Sequence, residues 1–449
     1  MTNINSNYKI GMISLGCPKN QVDGEILLEK LNSAGFQIVS EIPDSDIMII
    51  NTCGFIDAAK QEAIDTILEV AEYKKAGLIT AIVVTGCLAE RYQDEITDEM
   101  PEVDAVVGIG ANSDIVKICQ KVLIGLGTSS FPNKCFLPLD DKRLLSTPKH
   151  WAYLKIADGC DNRCAYCAIP GIRGAFRSRK PESVIAEAKE LAAGGVKELI
   201  LIAQDTTRYG YDLYGEYKLD ELLKELVKID GIEWIRLHYS YPEGFPDDVL
   251  QEMASNPKIC KYLDIPLQHI SDKVLHNMHR GVTGEWTRSL IRRLRSEIPG
   301  VVLRTTVIVG HPGEGEAEFS ELLDFVREAR FERLGAFRYS EEEGTWGAAN
   351  LQDDVPEEEK QRRYDVLMSL QGGISSAYNS SRIGSIERVL VDDVVAGKLI
   401  TRSRYESPEV DGEILVDVPE GMDAHSFIGQ FLDVRIKEAD DYDLFAEVI

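Results

Sequence analysis

Cys160, Cys164 and Cys167 lie in the run GCDNRCAYCAIP, with three residues between the first pair and two between the second. Three thiolates in eight residues can wrap three irons of a cubane cluster and leave the fourth iron without a protein ligand. A cluster held by four thiolates mostly transfers electrons, whereas one held by three has an open iron that can bind a substrate. A zinc site would show four ligands, often as paired Cys-x-x-Cys units; here the next cysteine is Cys260. A disulfide framework fits poorly with nine cysteines, an odd number, in 449 residues. The spacing therefore points to iron and sulfide.

The remaining cysteines fall into two groups. From residue 8 to about 123 the pattern alternates strand and helix, which predicts a parallel sheet with right-handed crossovers. YKIGMISLGC reads as a strand ending at Cys17, DIMIINTCGF as one ending at Cys53, and AIVVTGCLAERY as one ending at Cys87; VDAVVGIG is a fourth, short strand. Ligands bind at the carboxyl edge of open parallel sheets, so these three thiols can meet despite their separation in sequence. Two readings follow: a second cluster with an open iron, or three unrelated buried cysteines, a common fate of this residue. Cys119, Cys135 and Cys260 have no such setting and read as structural.

What must position the first triplet is a second alternating region. Residues 124 to about 145 (GLGTSSFPNKCFLPLDDKR) read as a Gly-, Ser- and Pro-rich linker. KHWAYLKIADGC is then a strand running into the cysteine loop, and five further strand and helix pairs follow. Six strands predict a partial (β/α)6 barrel of the TIM type, with its chemistry at the carboxyl strand ends. Gln204 and Asp205 end the second strand, His238, Tyr239 and Ser240 the third, Gln268 and His269 the fourth, and Gly310 to Glu314 the fifth. A Gly-Pro-Gly-type turn after a strand lets backbone approach a ligand, although an ordinary turn explains it equally. His238 and His269 read equally as hydrogen-bonded core histidines. Arg173, Arg177 and Arg179 form a basic run after the cysteine loop, suited to an anionic substrate or to simple solvation.

From about residue 377 the pattern changes to five short apolar runs, which predict a small β-barrel. Small barrels bind nucleic acid through basic and aromatic faces, but residues 380–449 hold 7 Lys and Arg against 16 Asp and Glu. The whole chain carries −26, from 75 acidic and 49 basic residues. An acidic surface repels phosphate backbones and favours a basic protein partner; a plain solubility effect is the other reading. The start, MTNINSNYKI, shows no signal peptide, and no apolar run approaches the roughly 18 residues of a membrane span. The expectation is a cytoplasmic, membrane-free protein, where thiols stay reduced.

The core triplet, with Tyr166 just before its last cysteine, resembles the radical S-adenosylmethionine (SAM) superfamily. SLGCPKNQVD around Cys17, INTCGFIDAAK around Cys53, TGCLAERY around Cys87 and GCDNRCAYCAIPGIRGAFRSR together resemble the radical SAM methylthiotransferases. The resemblance implies an α/β chain of three domains: an N-terminal methylthiotransferase domain over 8–123, a radical SAM core over 146–376 and a TRAM-like barrel over 377–449. It implies that Cys17, Cys53 and Cys87 bind an auxiliary [4Fe-4S] cluster and that Cys160, Cys164 and Cys167 bind the SAM-cleaving one. Tyr166, Gln204, Ser240 and Gly310 are the candidate SAM contacts; no catalytic residue beyond the cluster ligands is indicated.

One branch of the family modifies an adenosine of tRNA, the other the β-carbon of an aspartate in the twelfth protein of the small ribosomal subunit. GFIDAAKQEAID after Cys53, YSEEEGT at 339–345 and the acidic barrel resemble the second. Gly24, His311 and Trp346 depart from common family residues and leave all six cysteines intact. The implied chemistry uses two SAM molecules, one to methylate a sulfur on the auxiliary cluster and one to generate a 5′-deoxyadenosyl radical, with an external electron donor and sulfur source. Such an inert C–H bond needs cofactor chemistry in a site kept dry. A non-catalytic iron-sulfur sensor is the reading from another class.

Overall fold

The computed structural model describes residues 4–134, 139–419 and 421–449. The chain divides into two compact units. One comprises residues 1–146, 157–179 and 342–345; the other comprises 147–156, 180–341 and 346–449. Cys135 lies outside the described residues.

The first unit holds a parallel sheet of β1 (Lys9–Ser14), β2 (Gln37–Val39), β3 (Ile47–Thr52), β4 (Ala81–Gly86), β5 (Ala105–Val107) and β6 (Thr128–Ser130), in the order β2-β1-β3-β4-β5-β6. Strands β3 and β4 are buried at every residue, which is why IMIINT and AIVVTG read as unbroken apolar runs: helices cover both faces. Alternate residues serve different cores. Ile47 and Ile49 pack with Leu27 and Leu31 of helix Pro18–Ser33, whereas Met48 and Ile50 pack with Ala63, Ile67 and Val70 of helix Asp57–Lys75. The chain leaves β1 toward β2 on one side and continues from β3 toward β4 on the other. The topological switch point is therefore between β1 and β3, the place where loops diverge and leave a ligand crevice. Strands β2 and β6 were not expected; each has three residues, too few for a period to register, and β6 falls within the segment read from sequence as a linker.

A two-stranded ribbon, β8 (Ala157–Asp158) with β9 (Arg177–Ser178), brackets the core cysteine loop in this same unit.

The second unit carries β7 (Trp151–Lys155), β10 (Glu198–Ile202), β11 (Trp234–Leu237), β12 (Ile259–Asp264), β13 (Val302–Val309) and β14 (Arg333–Arg338) in one parallel sheet, ordered β14-β13-β12-β11-β10-β7. Each strand neighbours the next in sequence, the single winding expected of a partial (β/α)6 barrel. Strands β15 (Ile386–Val395), β16 (Lys398–Ser403), β17 (Ile414–Asp417), β18 (Phe431–Ala439) and β19 (Leu444–Val448) close into the small barrel around Val389, Leu399, Ile414, Val434 and Ile436.

Charged side chains join barrel to sheet. The fully buried Glu198 accepts from Arg236 Nε at 2.8 Å and pairs with Arg402. Glu406 pairs with Arg333 at 3.1 Å and with Arg382. Buried charges survive only when paired and hydrogen-bonded, so these contacts specify one docking of the barrel on the sheet. Among the described residues no helix is long and apolar enough to cross a membrane.

Candidate functional site: two cysteine triplets in one compact unit

Cys17, Cys53 and Cys87 follow the carboxyl ends of β1, β3 and β4, three adjacent strands at the switch point. Cys17 is the N-cap of helix Pro18–Ser33, Cys53 directly follows β3, and Cys87 opens helix Cys87–Arg91. Side-chain amides staple the loops together. Asn20 Nδ2 donates to the carbonyls of Leu15 (2.8 Å), Asn51 (3.2 Å) and Thr52 (3.3 Å), and Asn51 Nδ2 donates back to Asn20 O at 2.7 Å. The approach is close enough to exclude any side chain at two glycines. At Gly16, with φ +89°, a Cβ would stand 2.5 Å from Cys53 Cβ and 2.7 Å from its Sγ; at Gly54 it would stand 2.7 Å from Leu88 Cα.

The three thiols feel one another and one cation. Burial pushes Cys87 up to about 12, opposed by Arg173, with the Cys17 and Cys53 thiolates adding to the rise. Burial likewise raises Cys53, against a backbone hydrogen bond from Phe55. Burial also opposes ionisation of Cys17, but Lys19 and Arg173 outweigh it and hold that thiol below its ordinary value. Like charges crowded into a low-dielectric pocket resist joint ionisation, so three thiolates here need a cationic group between them. Among the described residues no three His, Cys, Asp or Glu groups stand at the spacing of a single metal ion's ligands. A four-iron group takes its thiolates at separate corners, and a donor set of three sulfurs, two of them buried and Cys17 half-buried, with no carboxylate or imidazole suits iron and sulfide.

Cys160, Cys164 and Cys167 share this compact unit. Their loop is shaped by its own backbone: Cys160 N donates to Gly174 O at 3.1 Å, Cys167 N to Cys164 O at 3.1 Å, and Phe176 N to Asp161 Oδ1 at 3.1 Å. Cys160 is buried, while Cys164, Tyr166 and Cys167 are half-buried.

The basic run after this loop is not a solvated face. Arg173 is 2% exposed; its Nη1 donates to Asp23 Oδ2 at 2.8 Å and Asp158 Oδ1 at 3.2 Å, and its Nη2 lies 3.6 Å from Cys87 Sγ. Arg179, also buried, pairs through Nε with Asp140 at 3.0 Å. Arg177 is half-buried in β9. The charge pattern alone could not reveal that Arg173 has two carboxylate partners, one of them 150 residues away.

Sequence reasoning also passed over Asn20, Asn51, Asp23 and Glu342 as site residues, although all four lie in the quoted motifs. Glu342, in YSEEEGT, pairs with Arg91 at 2.8 Å and Lys60 at 2.8 Å. It thereby clamps the helix that starts at Cys87 to the helix that follows Cys53.

The other candidates lie at the carboxyl strand ends of the second unit. Gln204 follows β10 and is half-buried. Ser240 is fully buried after β11; its N donates to Asp264 O at 2.9 Å and its hydroxyl lies 3.4 Å from that of Thr206. Gly310 has φ +74°, and a Cβ there would stand 2.4 Å from Lys360 Cγ, so packing alone accounts for the glycine. Its N donates to Glu314 Oε2 at 2.9 Å. His238 Nε2 meets Ser407 Oγ at 2.8 Å, and His269 Nδ1 accepts from Ser271 N at 3.0 Å with Nε2 3.3 Å from Glu314. Both are core histidines with partners. Asp205 accepts from Thr207, while Tyr239 and Gln268 hold positive φ beside their strand ends. Cys119 and Cys260 are fully buried among apolar side chains, with thiols pushed up to about 12 and about 11 by that burial.

Three family models match: the radical SAM superfamily over residues 154–326, an uncharacterized protein family (UPF0004) over 9–108, and the TRAM domain over 383–449. A ribosomal protein uS12 methylthiotransferase RimO from Desulforamulus reducens is 49% identical over 444 residues, spanning 98% of this chain and 99% of the relative. The RimO of Acetivibrio thermocellus is 47% identical over 98% of both chains. Among solved structures, the radical SAM methyltransferase TsrM of Kitasatospora setae superimposes with a TM-score of 0.55 at 14% identity, over 74% of this chain and 75% of that one, a likeness of fold. With cysteine triplets, sheet order and C-terminal barrel in place, this chain belongs to the RimO family of radical SAM methylthiotransferases, enzymes that transfer sulfur-containing groups.

Proposed function

We propose that the protein adds a methylthio group to the β-carbon of an aspartate in ribosomal protein uS12. The observation that carries this reading is the convergence of Cys17, Cys53 and Cys87 at a sheet switch point, in the same compact unit as Cys160, Cys164 and Cys167. Each triplet would hold one [4Fe-4S] group through three thiolates, the core one leaving an iron for the amino and carboxylate groups of SAM. Tyr166, Gln204, Ser240 and Gly310 are the proposed SAM contacts. When bound, these groups supply the radical and the methylthio sulfur that acid-base side chains cannot.

The chain's own part is positional. The Asn20 and Asn51 amides fix the loops that carry two of the auxiliary thiols. Burial of Cys53, Cys87 and Cys160 keeps water from them. The guanidinium of Arg173 offsets negative charge where three thiolates gather.

By domain, we assign 8–123 to the auxiliary site, 146–376 to the radical SAM core and 377–449 to substrate docking. The acidic barrel suits a strongly basic ribosomal protein better than tRNA, whose phosphates it would repel. The electron donor and sulfur source are external, and the protein works in the cytoplasm, where thiols stay reduced.

The test incubates reconstituted protein with SAM and reductant, offering uS12 in one arm and undermodified tRNA in the other. Mass spectrometry should find the methylthio mass on the protein; addition to tRNA alone refutes the substrate choice. Absence of 5′-deoxyadenosine in both arms would leave an iron-sulfur sensor as the better reading.

A further inference from the structure

Arg173 ends the short helix Ile169–Arg173 that follows the core cysteine loop. Its two terminal nitrogens are used differently. Nη1 takes the carboxylates of Asp23 and Asp158; Nη2 takes the amide oxygen of Asn20 at 3.4 Å and the sulfur of Cys87 at 3.6 Å. One carboxylate would neutralise the guanidinium, and two over-compensate it, so charge balance alone does not explain the second. Two carboxylates on one nitrogen do fix the rotation of a planar fork. That rotation leaves the other nitrogen facing a sulfur. Asp158 precedes the core loop, Arg173 follows it, and Asp23 and Asn20 belong to the helix capped by Cys17. N–H donors to ligand sulfurs, and nearby positive charge, stabilise the more electron-rich state of an iron-sulfur group.

We propose that Arg173 is a positioning residue of the auxiliary site, whose Nη2 donates to the Cys87 sulfur and raises the reduction potential of the iron-sulfur group held by Cys17, Cys53 and Cys87. The proposal rests on the two-cluster reading given above. Asp23 and Asp158 serve it by holding the fork.

The test uses the full chain with Cys160, Cys164 and Cys167 all changed to Ser, so that remaining iron and sulfide report the auxiliary site alone. Arg173→Met and Arg173→Lys are compared with this parent by iron analysis and by potentiometric titration followed by electron paramagnetic resonance. In Arg173→Met the midpoint potential should move to more negative values at unchanged iron content, and Arg173→Lys should recover part of the shift. An unmoved potential in Arg173→Met overturns the proposal. If Arg173→Met fails to keep iron, Arg173→Lys decides: iron retained at a potential more negative than the parent's supports the role, and an unmoved potential or loss of iron there as well overturns it. A parent without iron and sulfide defeats the two-cluster reading itself, and the proposal with it, a result distinct from an iron-loaded parent whose potential ignores Arg173.

Discussion

Gly16→Ala tests whether convergence of the Cys17 and Cys53 loops requires a bare backbone. Gly16 has φ +89°, where an L side chain is strained; that conformation costs roughly 1–3 kcal/mol for a non-glycine residue. The added methyl would also stand 2.5 Å from Cys53 Cβ and 2.7 Å from Cys53 Sγ. Cys53 Cβ is fixed to its backbone and no rotamer moves it away, so β3 or the Cys17 loop must move, an overpacking cost of roughly 1–3 kcal/mol. The sum is roughly 2–6 kcal/mol, with the displacement falling on two proposed cluster ligands. Gly77→Ala is the control: its φ is +73°, but a Cβ there meets nothing within 4 Å, so it bears only the conformational part. Both variants are purified anaerobically, unfolded in urea and analysed for iron after reconstitution. Gly16→Ala should be the less stable by roughly 1–3 kcal/mol and should lose auxiliary iron, while Gly77→Ala loads as the parent does. Equal stability and equal iron in the two variants would refute the reasoning.

Cys53→Ala should remove only the auxiliary share of the iron and abolish sulfur transfer, yet leave reductive SAM cleavage to 5′-deoxyadenosine; loss of that cleavage contradicts the assignment of two separate sites. Glu342→Gln strips Arg91 and Lys60 of their shared carboxylate. Lys60 keeps Asp57 and Arg91 keeps the carbonyls of Gly54 and Glu343, so the cost should be roughly 1.5–3 kcal/mol, the net worth of hydrogen bonds to a charged group, with faster amide hydrogen exchange in helix Cys87–Arg91 and unchanged exchange as the contrary result. Burial opposes ionisation of Glu406, but Arg382 and Arg333 outweigh it and hold its carboxyl down at about 2. A carboxylate depressed on folding stabilises above its unfolded value near 4.3 and loses that stabilisation as pH falls through the folded one. The contribution is roughly 3 kcal/mol at neutral pH, so the stability gap between the parent and Glu406→Gln should narrow between about pH 4.5 and about pH 2; a gap constant over that range argues against the pairing.

Much of the fold was legible because the signals were local. The apolar runs of β3 and β4, the alternation of the C-terminal segment and the helical spacing between strands are each properties of ten or so neighbouring residues. The short strands β2 and β6 were invisible for the same reason. At the site, the cysteine types and their places at strand ends could be read directly, since a strand end is a local event. Asn20 and Glu342 could not be read as site residues: an Asn two residues after a proline and a Glu in an acidic run look like cap and surface until partners are known.

What the chain's sequence determined by itself is the chemistry available: two sets of three thiols, one clustered and one dispersed, within an α/β chain that ends in an acidic barrel. Tertiary structure alone decided that β1 and β3 are neighbours across a switch point, which brings Cys17 and Cys53 to the same crevice, and that the core cysteine loop folds with the N-terminal sheet. It also decided that Arg173 is a buried cation on Cys87 rather than a surface charge. The reason is that strand order and charge pairing depend on residues 30 to 150 positions apart, brought together by burial of apolar faces that no local pattern specifies.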